Sequence, residues 1–144
     1  MDVKPKVYMY HTAVKWTEQR KGVISCAGKP DVQVATPPEF KGHEGIWSPE
    51  DLFVASANMC VMSTFLAVAE RAGLAFTAYE SSAEGRLELV EGKFQFTAIT
   101  IKPTITLKAG ADAAKAKELI EKAEANCLIS NSMKAQVHLE ATIA

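Results

Sequence analysis

The chain has 144 residues, 16 basic side chains against 17 acidic ones, and a hydrophobic fraction of 48%. Those numbers suit a single domain over residues 1–144 with one sizeable core, and they exclude a disordered chain. A net charge of −1 with no basic run gives no electrostatic basis for a nucleic-acid or anionic-membrane partner.

The start, Met1 to Lys6, is polar and lacks the apolar core of a signal peptide. Three cysteines are too few, and odd in number, for a secreted disulfide framework. A reducing cytoplasm is the expected setting, where a cysteine is structural, a ligand or reactive. No Cys-x-x-Cys step and no paired histidine spacing accompany the thiols, so no metal site is expected.

In chain order, Val7 to Trp16 is rich in β-formers with partial alternation. Two short strands follow, Gly22 to Cys26 and Asp31 to Ala35, with the turn Ala27-Gly-Lys-Pro30 between them. Thr36 to Trp47 reads as a loop with Pro37-Pro38 and glycines 42 and 45. Ser48-Pro49-Glu50-Asp51 then opens a helix: Ser48 as cap, Pro49 at the first helical position and Asp51 at the capping-box spacing. Both acids favour the positive end of the helix dipole.

The run from Leu52 to Ala69, ending near Gly73, is long enough to raise a membrane question. Ser56, Asn58, Ser63 and Thr64 interrupt it, and acids flank both ends with no basic anchor at its start, so no span is expected. A helix apolar nearly all round is instead expected to be buried on all sides. In so small a domain that means a central helix wrapped by sheet, or one shared with a second subunit.

Phe76 to Val90 and Phe94 to Leu107 read as strands around a Glu91-Gly92-Lys93 hairpin turn, with Phe94, Phe96 and Ala98 on one face. Pro103 predicts a bend or an edge position. Ala111 to Ala125 is an amphipathic helix with Ala114, Leu119 and Ala123 inside, and Lys134 to Ile143 is a last strand. The expected order is β-β-β-α-β-β-α-β, an α+β domain with a long central apolar helix.

Cys60 sits midway along that helix, and by position alone it reads as a small buried hydrophobe. Cys127 follows the second helix at a turn, where a thiol is more accessible. Cys26, beside a turn, reads as structural or incidental. Two stretches change this picture. Ser48-Pro-Glu-Asp-Leu-Phe-Val-Ala-Ser-Ala-Asn-Met-Cys60 resembles the Pro-Glu-x-Leu-x-x-Ala…Cys helix of the OsmC/Ohr family of organic hydroperoxide reductases. Cys127-Leu-Ile-Ser-Asn-Ser132 resembles that family's second motif, normally Cys-Pro-x-Ser. The likeness runs from about Val7 onward.

The resemblance implies that Cys60 is the peroxide-attacking thiol and Cys127 the resolving one. It matches Glu50 to the family's glutamate and Arg20, on the turn after the first strand, to the arginine of the Ohr branch. The loop Thr36 to Trp47, where the OsmC branch keeps its arginine, has none. Without the family, Glu50 is a helix-start acid and Arg20 a solvated turn residue. The chemistry gives each a reason. Only a thiolate attacks an O–O bond well, burial disfavours it, and a permanent cation held by a carboxylate favours it. Attack leaves a sulfenic acid that a second thiol traps as a disulfide, and an external dithiol, such as a lipoyl group, regenerates the enzyme without a cofactor.

Glu50 and Cys60 are ten positions apart, about 15 Å along a continuous helix. Either the helix breaks between them, or Glu50 serves the Cys60 of a second subunit. The second alternative predicts an intertwined homodimer in which Glu50 and Arg20 cross over. Phe53, Met59, Met62 and Phe65, with Trp47 and Phe40 before the helix, are candidates for an apolar lining that favours alkyl hydroperoxides. Leu128 replaces the proline of the second motif, restoring a backbone donor that proline lacks. His11, His43 and His138 receive no role. The expectation is a cytoplasmic, cofactor-free peroxidase; the alternatives are a redox sensor of the same fold and a non-enzymatic binder of a lipid-like ligand.

Overall fold

A computed structural model of the chain describes residues 5–144. It is an α+β structure, and it divides after Leu52 into two compact units. The first carries a three-stranded antiparallel sheet of β1 (Ala13–Glu18), β2 (Lys21–Ser25) and β3 (Val32–Ala35), in that order, followed by a 3-10 turn at Pro38–Phe40. The helix α1 (Pro49–Ala72) begins in this unit. The second unit carries most of α1, then β4 (Phe76–Val90), β5 (Lys93–Leu107), α2 (Ala113–Ala125), a 3-10 turn at Ser130–Ser132, β6 (Gln136–Leu139) and β7 (Thr142–Ile143), so the expected single last strand from Lys134 to Ile143 is two.

The first strand starts at Ala13 and not at Val7. Ala13 pairs with Ser25, the last residue of β2, so the chain before Ala13 has no strand to join. Val7, Tyr8, Met9 and Tyr10 are consequently exposed despite their β propensity. A strand is held by its partner's ladder more than by its own composition.

The start of α1 is the expected capping box. The Asp51 amide donates to Ser48 Oγ at 3.1 Å, and the Ser48 amide donates back to Asp51 Oδ2 at 2.9 Å. Its end is a Schellman turn at Gly73, whose φ of +68° suits glycine: the Gly73 amide reaches the Glu70 carbonyl and the Leu74 amide the Ala69 carbonyl. Along the helix Ser56, Ser63 and Thr64 turn their hydroxyls onto carbonyls of the preceding turn, which hides polar groups in an apolar run.

Within a single copy of the chain α1 is not wrapped on all sides, which leaves the alternative of a helix shared with a second subunit. Its length and hydropathy would let it cross a membrane, yet it packs one stripe, Ala57, Val61, Phe65, Val68 and Ala69, into a core. Met59 and Leu66 on the opposite face remain exposed. The core partners of the stripe are Ile99, Ile101 and Ile105 of β5 and Leu119, Ile120 and Ala123 of α2. On α2 the buried set is Ala116, Leu119, Ile120 and Ala123, the i, i+3, i+4, i+7 pattern, so Ala116 and not Ala114 faces inward.

β5 explains another departure. It pairs β4 antiparallel, with Arg86 opposite Ala98 but Leu87 opposite Phe96, so Thr97 is an extra residue. This bulge changes the phase of the alternation. Phe96 packs on the core before it, and Ile99, Ile101 and Ile105 after it, while Ala98 leaves the core-facing row. Beside the bulge, Gly85 lets the two strands and α1 close up: a Cβ there would lie 2.5 Å from Val54 Cγ2. Pro103 is not at an edge, because β6 and β7 pair β5 in parallel on its other side. Ile101 and Ile105 face that side with their carbonyls, and Pro103 shares their orientation. Its missing N–H therefore points at the gap between β6 and β7, where no ladder bond is lost.

Candidate active site

Cys60 lies on α1, half-buried, next to the core stripe. Cys127, one residue after the Asn126 cap that ends α2, is fully buried and not the more accessible thiol expected of a turn, because its side chain packs into the core cluster. Both are free thiols. The fold brings them together across α1 and the turn after α2, and the Cys127 thiol hydrogen-bonds to the Cys60 sulfur. Residues 127–133 form a tight turn in which the Asn131 amide reaches the Cys127 carbonyl and the Met133 amide the Ser130 carbonyl. The first amides of this turn are left free to face sulfur. Those of Leu128 and Ile129 are directed to Cys60, and that of Ser130 donates to Cys127 Sγ at 3.5 Å.

This arrangement separates the two thiols. Burial works against the Cys60 thiolate. Donation from the Cys127 thiol, the Ile129 amide, the Thr64 hydroxyl and the Leu128 amide outweighs it and holds the Cys60 pKa below the ordinary thiol value. Cys127 moves the other way. Burial pushes it up, its role as donor to Cys60 and the negative charge there add to the rise, and the Ser130 hydroxyl and amide oppose it. Of the pair, Cys60 is the group that ionises first, and Cys127 keeps its proton to share.

Thr64 lies outside both motifs, and Ser130 is the serine of the second one, to which the sequence assigns no role. Thr64 sits one helical turn beyond Cys60, a spacing that puts the two on one face. Its single hydroxyl proton has two acceptors, the Cys60 carbonyl at 2.9 Å and the Cys60 sulfur. Ser130 is buried, and its hydroxyl donates to Cys127 Sγ at 3.2 Å.

Glu50 stands in the first turn of α1, and its Oε1 is buried without a hydrogen-bond partner among the described residues. A buried carboxylate oxygen in that state lacks the donor its charge calls for. Arg20 lies in the β1–β2 turn, and its Nη1 donates to the Phe40 carbonyl at 3.0 Å. It borders an open cleft of about 450 Å³ together with Val14, Trp16, Val34 and Pro49. The ion pairs found among the described residues include neither Arg20 nor Glu50. The helix between Glu50 and Cys60 has no break.

The six apolar candidates fall in different places. Phe65 is fully buried and packs edge-on against Phe76, so it belongs to the core. Phe53 stacks on Phe96 at 4.9 Å. Met59 and Met62 border a cleft of about 290 Å³ with Ala55, Asn58, Tyr79 and Ser81. Asn58 and Ser81 lock one wall of it, the Ser81 hydroxyl donating to Asn58 Oδ1 and the Asn58 amide to the Ser81 carbonyl. Burial raises the Tyr79 hydroxyl to about 12, so it stays protonated there. In the first unit, Phe40 closes the 3-10 turn and accepts from Arg20, and Trp47 is exposed beside Val34, to which its backbone bridges.

The family model described as OsmC-like protein matches residues 42–142, a stretch that spans both motifs. The chain belongs to the OsmC-like family. It is 27% identical over 135 residues to the uncharacterized protein YmaD of Bacillus subtilis, covering 91% of this chain and 90% of that one. It is 30% identical over 101 residues to the peroxiredoxin OsmC of Escherichia coli, covering 70% and 69%. Its fold superposes on the crystal structure of an organic hydroperoxide resistance protein OsmC from Legionella pneumophila with a TM-score of 0.73. That match has 24% identity and covers 96% of this chain and 99% of the other. An OsmC-like chain with an α+β fold and a peroxiredoxin relative supports a peroxiredoxin-like role.

Proposed function

We propose that this OsmC-like chain is a thiol peroxidase that reduces organic hydroperoxides through Cys60 and Cys127. The observation that carries the reading is the asymmetric thiol pair: Cys60 held below the ordinary thiol pKa by four donors, with the protonated Cys127 among them. In the first step the Cys60 thiolate attacks the terminal peroxide oxygen and the O–O bond breaks. The alcohol leaves after taking up a proton, and Cys60 becomes a sulfenic acid. In the second step the Cys127 sulfur attacks the Cys60 sulfur, expels its hydroxyl as water and closes a disulfide. An external dithiol of the lipoyl type then reduces that disulfide by exchange and is itself oxidised to a disulfide. A cytoplasmic setting would keep both thiols reduced between turnovers.

The working unit in this reading is a homodimer. α1 is unbroken and exposes Met59 and Leu66, and the free carboxylate oxygen of Glu50 awaits a donor. Glu50 and Arg20 of one subunit are assigned to the Cys60 of the other, where the guanidinium adds a fixed positive charge beside the thiolate. The alkyl part of the peroxide is assigned to the apolar side chains Phe53, Met59 and Met62, which favours alkyl over hydrogen peroxide. The test is peroxide consumption with a dithiol. The parent is expected to turn over, Cys60→Ser to be inactive, and Cys127→Ser to attack once without forming an intramolecular disulfide. An active Cys60→Ser variant would end this reading.

A further inference from the structure

Cys127 has a task in the peroxidase reading that its surroundings oppose. It must attack as a thiolate, yet it is fully buried and beside the sulfur that ionises first. The titratable group facing it is Cys60 on α1, and the remaining groups acting on it belong to its own turn: the Ser130 hydroxyl and the Ser130 amide. The two Ser130 donors reach Cys127 Sγ at 3.2 Å and 3.5 Å. Ser130 is itself buried, so water does not replace its hydroxyl when it is removed.

We infer, on the basis of the peroxidase reading above, that Ser130 is a positioning residue for the resolving step: its hydroxyl and amide hold the Cys127 sulfur and set how fast it closes the disulfide. In the reduced protein the Ser130 donors fix the Cys127 sulfur so that its own S–H is aimed at Cys60. After peroxide attack the Cys60 charge is gone and the S–H has lost its acceptor. The Cys127 proton then leaves to solvent or to the departing hydroxyl, and the two Ser130 donors stabilise the thiolate that attacks. In the reverse sense, when an external dithiol opens the disulfide at Cys60, Cys127 is the leaving thiolate, and the same donors accept its charge. One residue thus serves Cys127 as attacker and as leaving group. Its contacts are to Cys127 and not to Cys60, so its effect on the peroxide attack passes only through the Cys127 S–H.

The experiment has two arms. The first measures the Cys127 titration in the reduced protein by peptide-resolved, pH-dependent alkylation in a Cys60→Ser background, with and without Ser130→Ala. Loss of the hydroxyl is expected to raise the Cys127 pKa, cutting its thiolate fraction about tenfold at neutral pH. The second follows disulfide closure after one equivalent of cumene hydroperoxide in the otherwise unmodified protein. Ser130→Ala is expected to slow closure about tenfold at neutral pH and to recover the parent rate at high pH, and Ser130→Thr to restore it. An unchanged Cys127 titration overturns the inference, as does a closure rate in Ser130→Ala that equals the parent's at neutral pH. A parent that consumes no peroxide defeats the peroxidase reading, while the alkylation arm still judges Ser130 by itself.

Discussion

At the scale of single residues, the decisive feature is that the two thiols are unequal. Cys60 lies in a helix whose apolar surroundings penalise charge, and hydrogen-bond donors rather than a nearby cation in the same unit lower its pKa. The attacking form is the thiolate, present above that pKa and lost as pH falls through it, so a lowered pKa extends attack to more acid conditions. Cys127→Ala removes the thiol donor. It is expected to raise the Cys60 pKa and move the acid limb of single-turnover peroxide attack to higher pH. Stopped-flow rates across pH check this, and an acid limb that stays in place would show that Cys127 does not support the thiolate. Cys60 and Cys127 were both legible in sequence as motif members. Ser130 was legible as a motif member but its role was not, and Thr64 was not legible at all, because a serine or threonine hydroxyl has several local partners and only tertiary placement selects one.

At the scale of elements, the turn after α2 carries more of the site than its length suggests. Its first amides point at sulfur, and Leu128 contributes one of them to Cys60. Proline, usual at this position in the family's second motif, has no N–H to give. The Leu128 side chain is 68% exposed, so replacing it disturbs little packing. Leu128→Pro is therefore expected to keep the fold and to lower the thiolate fraction of Cys60 about threefold at neutral pH. Alkylation of Cys60 with iodoacetamide across pH measures it, and a variant that titrates as the parent does would remove Leu128 from the site. Elements with strong local signals stand where sequence placed them: the capping box at Ser48, the helix end at Gly73, and the β4–β5 turn, with positive φ at both Glu91 and Gly92. The departures all depend on partners. β1 begins where β2 can pair it, the Thr97 bulge changes which face of β5 is buried, and Pro103 sits where two short strands leave a gap.

At the scale of the whole molecule, the helix that sequence expected to be buried all round packs one stripe and exposes Met59 and Leu66. Exposed apolar side chains grouped on one helix face mark an interaction surface. The homodimer proposed above covers this face with a second copy. Sedimentation should give twice the chain mass of 15.6 kDa. Leu66→Glu, which buries a charge at such an interface, is expected to shift the protein to monomer and to lower peroxidase activity at least tenfold. A parent that is monomeric and fully active would overturn the shared site.

By itself the sequence determined the order of elements as far as α2, the caps of α1, and the two motifs that place this chain in the OsmC-like family. These depend on neighbours along the chain, which a sequence displays directly. Tertiary structure alone decided which face of α1 and which row of β5 are buried, and which donors meet each sulfur. Both questions turn on residues distant in sequence, and a bulge of one residue or a turn of seven is enough to change the answer.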